Sequence, residues 1–405
     1  MPSGEAPDPF GGAASRRSLA PLIAALGVAQ VISWGTLFYS IAVLGPALRE
    51  ATGASDLLLF ASFSAGLLIS GLVAPWIGRE IDARGGRAIL SIGSLGGAAA
   101  CAVLALASGP VSLAAGWLLA GAAMAATLYD PAFATLHQLA GPSYRRSVTA
   151  LTLYGGFAST VFWPLAQTLL EAYGVRIAYL VFAALHLGVC LPLHLRFVPR
   201  GAHDVHAAGS GTARVATAPD PRRAFLWLAT ALSIASFAAA ALSAHLIALL
   251  REGGMSAREA VLVGALIGPM QVVGRVMEFA FARSISPVAA GTIAFAALAA
   301  SLAMLPFAGG VFALAVGFAI LYGWSNGVMT ITRGTVPEVL FGSRGYGALL
   351  GRLAQPQFLA RAFAPAAMAG VLALPAGRAV ALAALAVGGV VALGAYWRAA
   401  DRPRE

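Results

Sequence analysis

The chain has 405 residues, of which 59% are hydrophobic and only 10% are charged, whereas a soluble domain carries about 25% charged residues. No water-soluble fold of this size could bury so much apolar surface, so the composition excludes a soluble protein and indicates lipid as the main solvent. The net charge of +10 comes from 26 arginines and no lysine, which excludes a Walker A loop and a Schiff-base enzyme because both need an amine.

Twelve apolar stretches, each about 20 residues long or longer, follow one another along the chain, and this length suits helices that cross a bilayer. Their centres lie near residues 31, 66, 98, 124, 160, 186, 236, 270, 297, 322, 360 and 387. A polar connection at 198–222, rich in Gly, Ala, Pro and Arg, follows the sixth stretch and is typical of a flexible linker. We therefore predict an all-α membrane protein with pseudo-symmetric six-helix bundles at 1–197 and 223–405, joined by a cytoplasmic linker at 198–222.

The arginines predict the orientation of the chain in the membrane. If the N-terminus lies inside, the cytoplasmic segments hold seventeen arginines and the outer segments hold five. The positive-inside rule demands such a bias, so we predict that both termini lie in the cytoplasm. The remaining four arginines lie within predicted spans: Arg275, Arg333, Arg352 and Arg361.

The predicted spans differ in polar content. Spans three, nine and twelve contain no ionisable residue in their apolar stretch except Cys101, and span six holds His186 and Cys190, with His194 near its inner end. A charged side chain at the bilayer centre costs at least about 2.5 kcal/mol. We therefore expect these four spans to face lipid and the other eight to surround a central cavity.

Two sets of residues recur about 200 positions apart. The first set is offset by 196: Gly78 with Gly274, Arg79 with Arg275, Asp82 with Glu278, and Arg87 with Arg283. The second set is offset by 201: Gly141 with Gly342, Phe157 with Phe358, Phe162 with Phe363, and Pro164 with Pro365. A duplicated helical bundle is the expected architecture of a secondary transporter, with the substrate bound between the halves.

The loop after span two contains a candidate gating motif. Gly78 lets the second helix approach a neighbour closely, and Asp82 at the helix end can accept from N–H groups of the third helix or pair with an arginine. Such a contact can form in one conformation and break in another, so we favour a latch over charge that only sets topology. The motif and its repeat copy comprise Gly78, Asp82, Gly85, Arg87, Arg275, Glu278 and Arg283.

Arg361 lies near the middle of the eleventh span. The equivalent residue in the first half is Thr160, so the shared fold does not require the guanidinium. Gln357 lies one turn earlier on the same face. A buried arginine presents a rigid fork suited to a carboxylate, which favours binding of an anionic substrate. The alternative is a structural ion pair with an acid of the fourth or eighth span.

Asp130 in span four is followed by Pro131, which loosens local helix hydrogen bonding. Its equivalent in the second half is Ile331, and His137 lies seven residues further on the same face. A carboxyl group in a low dielectric can carry a proton at physiological pH. Asp130 and His137 are therefore candidates for proton coupling, and an acid that pairs with an arginine to hold a closed state is the equal alternative.

Other polar side chains near the centres of the spans are candidate substrate contacts. They are Gln30, Trp34, Tyr129, Tyr154, Tyr322 and Asn326. Packing is the alternative for Tyr129 and Tyr154, since aromatics in bundles mostly pack. Arg275 and Glu278 share a stripe of span eight and can pair with each other, which favours a structural pair near the cytoplasm over a substrate site.

The loop after span two and the twelve-span pattern resemble the major facilitator superfamily. The family's signature has the loose form Gly-x-x-x-Asp-(Arg/Lys)-x-Gly-x-(Arg/Lys), and Gly78, Asp82, Gly85 and Arg87 match it, although Ala83 stands where the first base is usual. Further stretches resemble the bacterial branch of monocarboxylate porters and oxalate/formate antiporters: Trp34-Gly35-x-x-x-Tyr39, Tyr144-Arg145-Arg146, Ala244-His245-Leu246 and Phe341-Gly342-x-x-x-Tyr346-Gly347.

The resemblance implies a secondary active transporter that moves a small organic solute, such as a carboxylate anion, across a bacterial cytoplasmic membrane by proton-coupled alternating access. A multidrug-type efflux exporter of the same fold is the alternative, and Arg361 argues against it because such a cavity would be more aromatic and less charged. A membrane-embedded enzyme needs a metal or nucleophile cluster, which the six dispersed histidines do not supply. We expect no enzymatic activity, cofactor, metal or nucleic-acid partner, and a monomer that binds its substrate, protons and lipid.

Overall fold

The computed structural model describes residues 19–201, 220–282, 284–308 and 310–401. Throughout these ranges the regular secondary structure is helical, without strands. A helix satisfies its own backbone N–H and C=O groups, which is what a lipid environment requires. Arg283, which the sequence predicts as part of the gating motif, lies outside the described residues.

Six helices form the first bundle. They are α1 (Ala20–Thr52), α2 (Asp56–Arg84), α3 (Gly86–Ala105), α4 (Pro110–Thr127 and Tyr129–Ala140), α5 (Tyr144–Gly156, continued over 158–173) and α6 (175–197). Gly85 separates α2 from α3 with φ of 80°, and Gly174 separates α5 from α6 with φ of 79°. Both values lie in the left-handed region that only glycine adopts without strain.

Six further helices form the second bundle. They are α7 (Pro221–Glu252), α8 (Ala257–Phe281), α9 (Pro287–Ala308), α10 (Phe312–Phe341), α11 (Tyr346–Leu372) and α12 (Gly377–Ala400). By length and composition, nine stretches of the described residues could cross a membrane. One of them, Pro110–Phe197, makes three crossings as α4 to α6, and the proline-containing α11 completes the set. The predicted twelve-helix fold is confirmed.

The outer helices present apolar side chains to the lipid. A large hydrophobic residue is exposed on each of the four helices predicted to lie outside: Ile92 on α3, Leu187 on α6, Ile293 on α9 and Val387 on α12. The histidines of α6 turn inward instead. His186 is buried against Thr36 of α1, and His194 is buried against Ser94 of α3. Helix α6 therefore has one lipid face and one protein face.

The two bundles contact each other where α2 packs on α11, from Gly71 beside Phe358 to Gly78 beside Gly347. We call the end that carries the turn at Gly85 the motif end and the opposite end the far end. Toward the motif end, a Cβ atom at Gly78 of α2 would overlap the carbonyl oxygen of Gly347 in α11, and one at Gly351 would overlap that of Ala74. The two backbones approach this closely because these positions lack side chains.

Candidate functional site

The carboxylate of Asp82 holds the first turn of α11. Its Oδ1 accepts from the N–H of Gly347 at 2.8 Å, and its Oδ2 accepts from that of Ala348 at 2.7 Å. The first N–H groups of a helix lack intrahelical partners, and the helix dipole favours negative charge there. The predicted partner, the third helix or an arginine, is wrong, because the contact between Gly78 and Gly347 brings the start of α11 within reach of Asp82.

Arg145 at the start of α5 bonds to Glu278 near the end of α8. Its Nε and Nη2 donate to Oε1 of Glu278 at 2.9 and 2.6 Å. Its Nη1 donates to the carbonyl oxygens of Ala282 and Ile285. One guanidinium thus satisfies a buried carboxylate and carbonyls at the end of α8. The predicted pair of Glu278 with Arg275 is corrected, because Arg275 turns toward α5.

Arg275 is buried between α8 and α5. Its Nη1 donates to the carbonyl oxygen of Thr152 at 3.0 Å, and a Cβ atom at Gly156 would occupy the space of its guanidinium. It also lies within electrostatic reach of Tyr39 and Tyr129. No carboxylate pairs with it among the described residues. Arg275 therefore adds uncompensated positive charge to the space that the two tyrosines face.

Asp130 of α4 and Arg333 of α10 form an ion pair between the bundles. Nη2 of Arg333 lies 2.7 Å from Oδ1 of Asp130, and each side chain is only 9% exposed. Water therefore screens the pair little. The neighbouring Gly334 lets α10 pack against the ring of Phe133 on α4. In this conformation Asp130 pairs with an arginine, as one of its two predicted roles requires, and proton coupling stays a prediction.

His137 of α4 lies between two residues of the other bundle. Its Nε2 is 3.2 Å from Oε1 of Glu338, and its ring stacks on Tyr346 with 4.0 Å between centroids. The hydroxyls of Tyr144 and Tyr346 lie 3.0 Å apart, and both bond to the carbonyl oxygen of Gly334. Together with the ion pair of Asp130, these contacts close the space between the bundles on the motif side.

Arg361 of α11 has no ion-pair partner among the described residues. Its guanidinium lies over the ring of Phe358 at 5.7 Å from the centroid. It is within electrostatic reach of Tyr39, Asp130 and Arg333. The predicted alternative, an ion pair with an acid of the fourth or eighth helix, is absent here, because Arg333 holds Asp130 and Arg145 holds Glu278. Among the described residues, Arg361 makes no ion pair and no hydrogen bond, so its fork is available to a ligand.

Gln30 of α1 bridges a break in α4. Pro131 has no N–H, so the carbonyl oxygen of Thr127 lacks its helical donor. Nε2 of Gln30 donates to this oxygen at 2.6 Å and to that of Leu128 at 3.2 Å, while its Oε1 accepts from Nε1 of Trp34 at 3.1 Å. The amide is buried and fully bonded within the protein. Protein groups thus occupy both the donor and the acceptor of Gln30, and its substrate contact stays a prediction.

Aromatic rings cluster on the first-bundle side, and we call Trp34, Tyr39, Tyr129 and Trp163 the aromatic wall. The ring of Trp34 lies 5.2 Å from that of Tyr129 and 6.0 Å from that of Tyr39. Tyr39 meets Trp163 edge to face at 6.0 Å. Trp163 and Thr160 line an open recess of about 540 Å³ between α1 and the second part of α5. This part of α5 lies toward the far end. Trp34 and Tyr129 are buried, so Trp163 and the half-buried Tyr39 carry the accessible surface of the wall, and substrate contacts of Trp34 and Tyr129 stay predictions.

Gln357 and Tyr322 pack within the second bundle. Nε2 of Gln357 donates to the carbonyl oxygen of Leu353 at 2.8 Å, and its Oε1 lies 3.5 Å from the hydroxyl of Ser236 on α7. Tyr322 of α10 is buried and stacks on Phe318 at 5.2 Å. Both side chains have protein partners, and their contacts with substrate stay predictions.

Asn326 and Tyr154 are more open. Asn326 is half-buried one turn after Tyr322, and its amide contacts the hydroxyl of that tyrosine. Tyr154 of α5 packs on Gly27 of α1 and is 39% exposed. These two predicted contacts therefore retain surface that a ligand could reach.

Two positions of the gating motif lie away from the bundle contact. Gly85 makes the turn between α2 and α3, where its positive φ is needed. Arg87 lines a recess beside this turn together with Arg84 and with Arg200 at the start of the linker. A gating role for Arg87 therefore stays a prediction without an observed contact to the second bundle.

Sequence reasoning did not select four residues that lie at the cavity or at its closed end. They are Tyr39, Tyr144, Arg145 and Tyr346. A signal was present, because each belongs to a stretch that carried the resemblance to carboxylate porters. Spacing alone could not identify them, since their roles depend on helices that are distant in sequence.

The arrangement suits an organic anion. Arg361 has one carboxylate, Asp130, and a second guanidinium, Arg333, within its electrostatic reach. A bound carboxylate would offset the excess positive charge, and the aromatic wall would pack against the apolar part of a ligand. In the described part of the chain, no three His, Cys, Asp or Glu side chains come together to hold a metal ion.

No protein-family model and no curated protein matches the chain. Solved structures match it in fold. The human organic anion transporter MFSD10 (TETRAN) has a TM-score of 0.73 at 18% identity, with 95% of this chain and 100% of that chain covered. A variant of the E. coli fucose:proton symporter FucP has a TM-score of 0.71 at 18% identity, with 94% of this chain and 99% of that chain covered. FucP in the outward conformation has a TM-score of 0.72 at 16% identity, with 94% of this chain and 99% of that chain covered.

These likenesses establish the fold. The chain is a multi-pass membrane protein with the twelve-helix fold of major facilitator superfamily transporters, as the motif between α2 and α3 predicts.

Proposed function

We propose that this protein is a secondary active transporter that moves a small organic anion, such as a carboxylate, across a bacterial cytoplasmic membrane by proton-coupled alternating access. Arg361 carries the proposal. An ionisable group at membrane depth is costly and marks a functional site by default, and Arg361 has no ion-pair partner in the described part of the chain. An organic anion transporter and a proton symporter among the structural neighbours support this substrate class and coupling.

The distribution of contacts supports alternating access. The interbundle hydrogen bonds described above lie toward the motif end, whereas the recess beside Thr160 and Trp163 is open toward the far end. If the motif end faces the cytoplasm, as the arginine distribution predicts, both termini are cytoplasmic and this conformation is open to the outside. We propose that the bundles at 1–197 and 223–405 rock about the cavity, joined by the linker at 198–222.

Asp130 is the proposed proton site. In this conformation its carboxylate neutralises Arg333 across the bundles. Protonation would discharge the carboxylate and release Arg333, which weakens closure of the motif end. His137, paired with Glu338 two turns further along α4, offers a second site on the path toward the motif end.

The aromatic wall favours a second candidate, an efflux exporter of the same fold. The exposed ring of Trp163 and the half-buried ring of Tyr39 would suit an amphipathic anion with a larger apolar body. This candidate shares the cation Arg361 with the first and differs in the size of the substrate and in the direction of transport.

Uptake into proteoliposomes tests the proposal. Monocarboxylates, dicarboxylates and amphipathic aromatic anions are supplied with an imposed pH gradient. Arg361→Gln is expected to lower anion uptake by about tenfold or more, since a charge-assisted hydrogen bond is lost. Arg352→Gln is the control. Arg352 lies on α11 like Arg361, but its guanidinium is exposed and lies over the ring of Phe225 on α7. Undiminished anion uptake by the Arg361 variant would contradict the proposal.

A further inference from the structure

A second cavity lies on the outside of the first bundle at the motif end. It has a volume of about 320 Å³ and lies between the α2–α3 turn and the end of α6. Three arginines line it: Arg84, Arg87 and Arg200. Its lining comes from the first bundle and from the start of the linker, so it includes neither Arg361 nor any other residue of the second bundle.

Ser91 lines this cavity and has an unsatisfied hydroxyl. The residue is 7% exposed, and its Oγ has no hydrogen-bond partner among the described residues. A helical serine commonly bonds to the carbonyl four residues earlier, as Ser94 does to Leu90 on the same helix. Ser91 does not, and it lies one turn after Arg87. A buried donor without a partner beside guanidinium groups points to a ligand that accepts hydrogen bonds.

The cavity also lies at the N-terminus of α3. This helix has 20 residues, no side-chain bond from its N-cap Gly85, and no acid in its first turn. Its first N–H groups and its dipole therefore favour an anion. Glu80 pairs with Arg84 at 3.1 Å. Arg87 and Arg200 have no acidic partner within the described ranges.

The surroundings of the cavity are apolar on the lipid side. Ala88 lines the cavity, and Ile92 and Leu95 continue the same face of α3 at i+4 and i+7. Ile92 is 61% exposed and Leu95 is 48% exposed. Leu195 of α6, at the cavity itself, is also exposed. A basic cavity that continues into an exposed apolar stripe matches a ligand with a phosphate and a hydrocarbon chain.

We propose that this cavity binds the phosphate headgroup of an anionic phospholipid. Arg87 and Arg200 neutralise the phosphate, Ser91 and the first N–H groups of α3 donate to its oxygens, and an acyl chain lies along Ile92 and Leu95. Free phosphate shares the headgroup chemistry but has no hydrocarbon chain to pack against the apolar stripe. The phospholipid therefore fits the site better than free phosphate does.

Native mass spectrometry of the purified full chain tests the site with phosphatidylglycerol, phosphatidylcholine and inorganic phosphate. The unsubstituted chain is expected to retain phosphatidylglycerol over phosphatidylcholine. Arg87→Gln with Arg200→Gln is expected to lower retention of phosphatidylglycerol by about 25-fold, at about fivefold for each arginine. Arg196→Gln is the matched control, because its exposed guanidinium lies over Phe197 near the same helix end and does not line the cavity.

Ser91→Ala provides a readout that does not depend on net charge. Because its hydroxyl has no protein partner, the substitution should lower retention of phosphatidylglycerol without lowering the thermal midpoint of the lipid-free protein. This variant decides the question if the double arginine variant fails to fold. The proposal is overturned if Ser91→Ala retains the lipid fully or if Arg196→Gln loses as much lipid as the double variant. It is also overturned if inorganic phosphate binds as tightly as phosphatidylglycerol.

Discussion

Asp82 and Glu278, which occupy equivalent positions in the two sequence repeats, each hold the start of a helix in the opposite bundle. Asp82 accepts from the backbone at Gly347 of α11, and Glu278 accepts from the guanidinium of Arg145 on α5. Helices α5 and α11 carry equivalent residues of the second repeat. The two contacts are therefore related by the internal symmetry of the fold, and together they close the motif end.

Replacing Asp82 by Asn should favour opening of the motif end. Hydrogen bonds to a charged group contribute about 1.5–3 kcal/mol, so the open fraction should rise by about tenfold or more. The separation of spin labels at Ala83 and Arg344, both exposed at this end, measures the change. Asp56→Asn is the control, because it removes an exposed acid paired with Arg49 at the far end. An unchanged distance distribution in the Asp82 variant would show that the contact does not hold the bundles together.

Alanine should destabilise the protein at one glycine of α11 and be tolerated at another. A Cβ atom at Gly347 would meet the carbonyl oxygen of Gly78 and the carboxylate of Asp82, whereas one at Gly370 would meet nothing within 4 Å. Gly347→Ala should lower the thermal midpoint of the protein. Gly370→Ala should leave it unchanged or raise it slightly, because alanine favours a helix over glycine by about 0.5–1 kcal/mol. Equal midpoints for the two variants would argue against close packing of α2 on α11.

Replacing Arg145 should destabilise the protein more than replacing its partner Glu278. Arg145→Gln leaves Glu278 buried without its cation and also removes the donor to Ala282 and Ile285. We expect it to lower the free energy of unfolding by about 3–5 kcal/mol. Glu278→Gln should lower it less, because the carbonyl bonds remain. A double-mutant cycle measured by unfolding in detergent checks the coupling, and strictly additive losses would contradict a direct bond.

Asp130→Asn should separate coupling from translocation. The variant keeps the shape of the side chain but cannot exchange a proton, so counterflow of the substrate should persist while accumulation driven by a pH gradient is lost. Both are measured in proteoliposomes. Glu171→Gln, an exposed acid bonded to Gln167 on α5, should retain both activities. Loss of both activities in the Asp130 variant would indicate that its pair with Arg333 is purely structural.

Gln30→Leu should affect stability more than substrate affinity. The change leaves the carbonyl of Thr127 and the indole N–H of Trp34 without their partner, whereas the carbonyl of Leu128 still accepts from the N–H of Ala132. Each unsatisfied buried group costs about 1–3 kcal/mol, so the thermal midpoint should fall clearly. Gln167→Leu, at an exposed position where the amide bonds to the side chain of Glu171, is the control for the thermal midpoint. A raised KM with an unchanged midpoint would instead favour direct contact between Gln30 and the substrate.

Several features of the cavity could be predicted from local sequence, and others could not. The charges at Arg361 and Asp130 were identifiable because a charged residue within an apolar span needs a reason to be there. The role of Gln30 was not, because nothing near it in sequence shows that α4 breaks at Pro131 and exposes the carbonyl of Thr127. Likewise, Arg275 and Glu278 lie at pairing distance along one helix, yet both turn toward α5.

The sequence by itself determined the twelve helices, their duplication and the membrane environment, because a bilayer admits only long apolar helices or closed barrels and the repeat is visible residue by residue. Only the tertiary structure decided which groups the charged side chains bind. Arg333 rather than Arg361 holds Asp130, and Asp82 holds α11 rather than α3. The physical reason is that a charge selects among groups on different helices by distance and direction. Those are set by how closely the helices pack, as the contact of Gly78 with Gly347 does for α2 and α11.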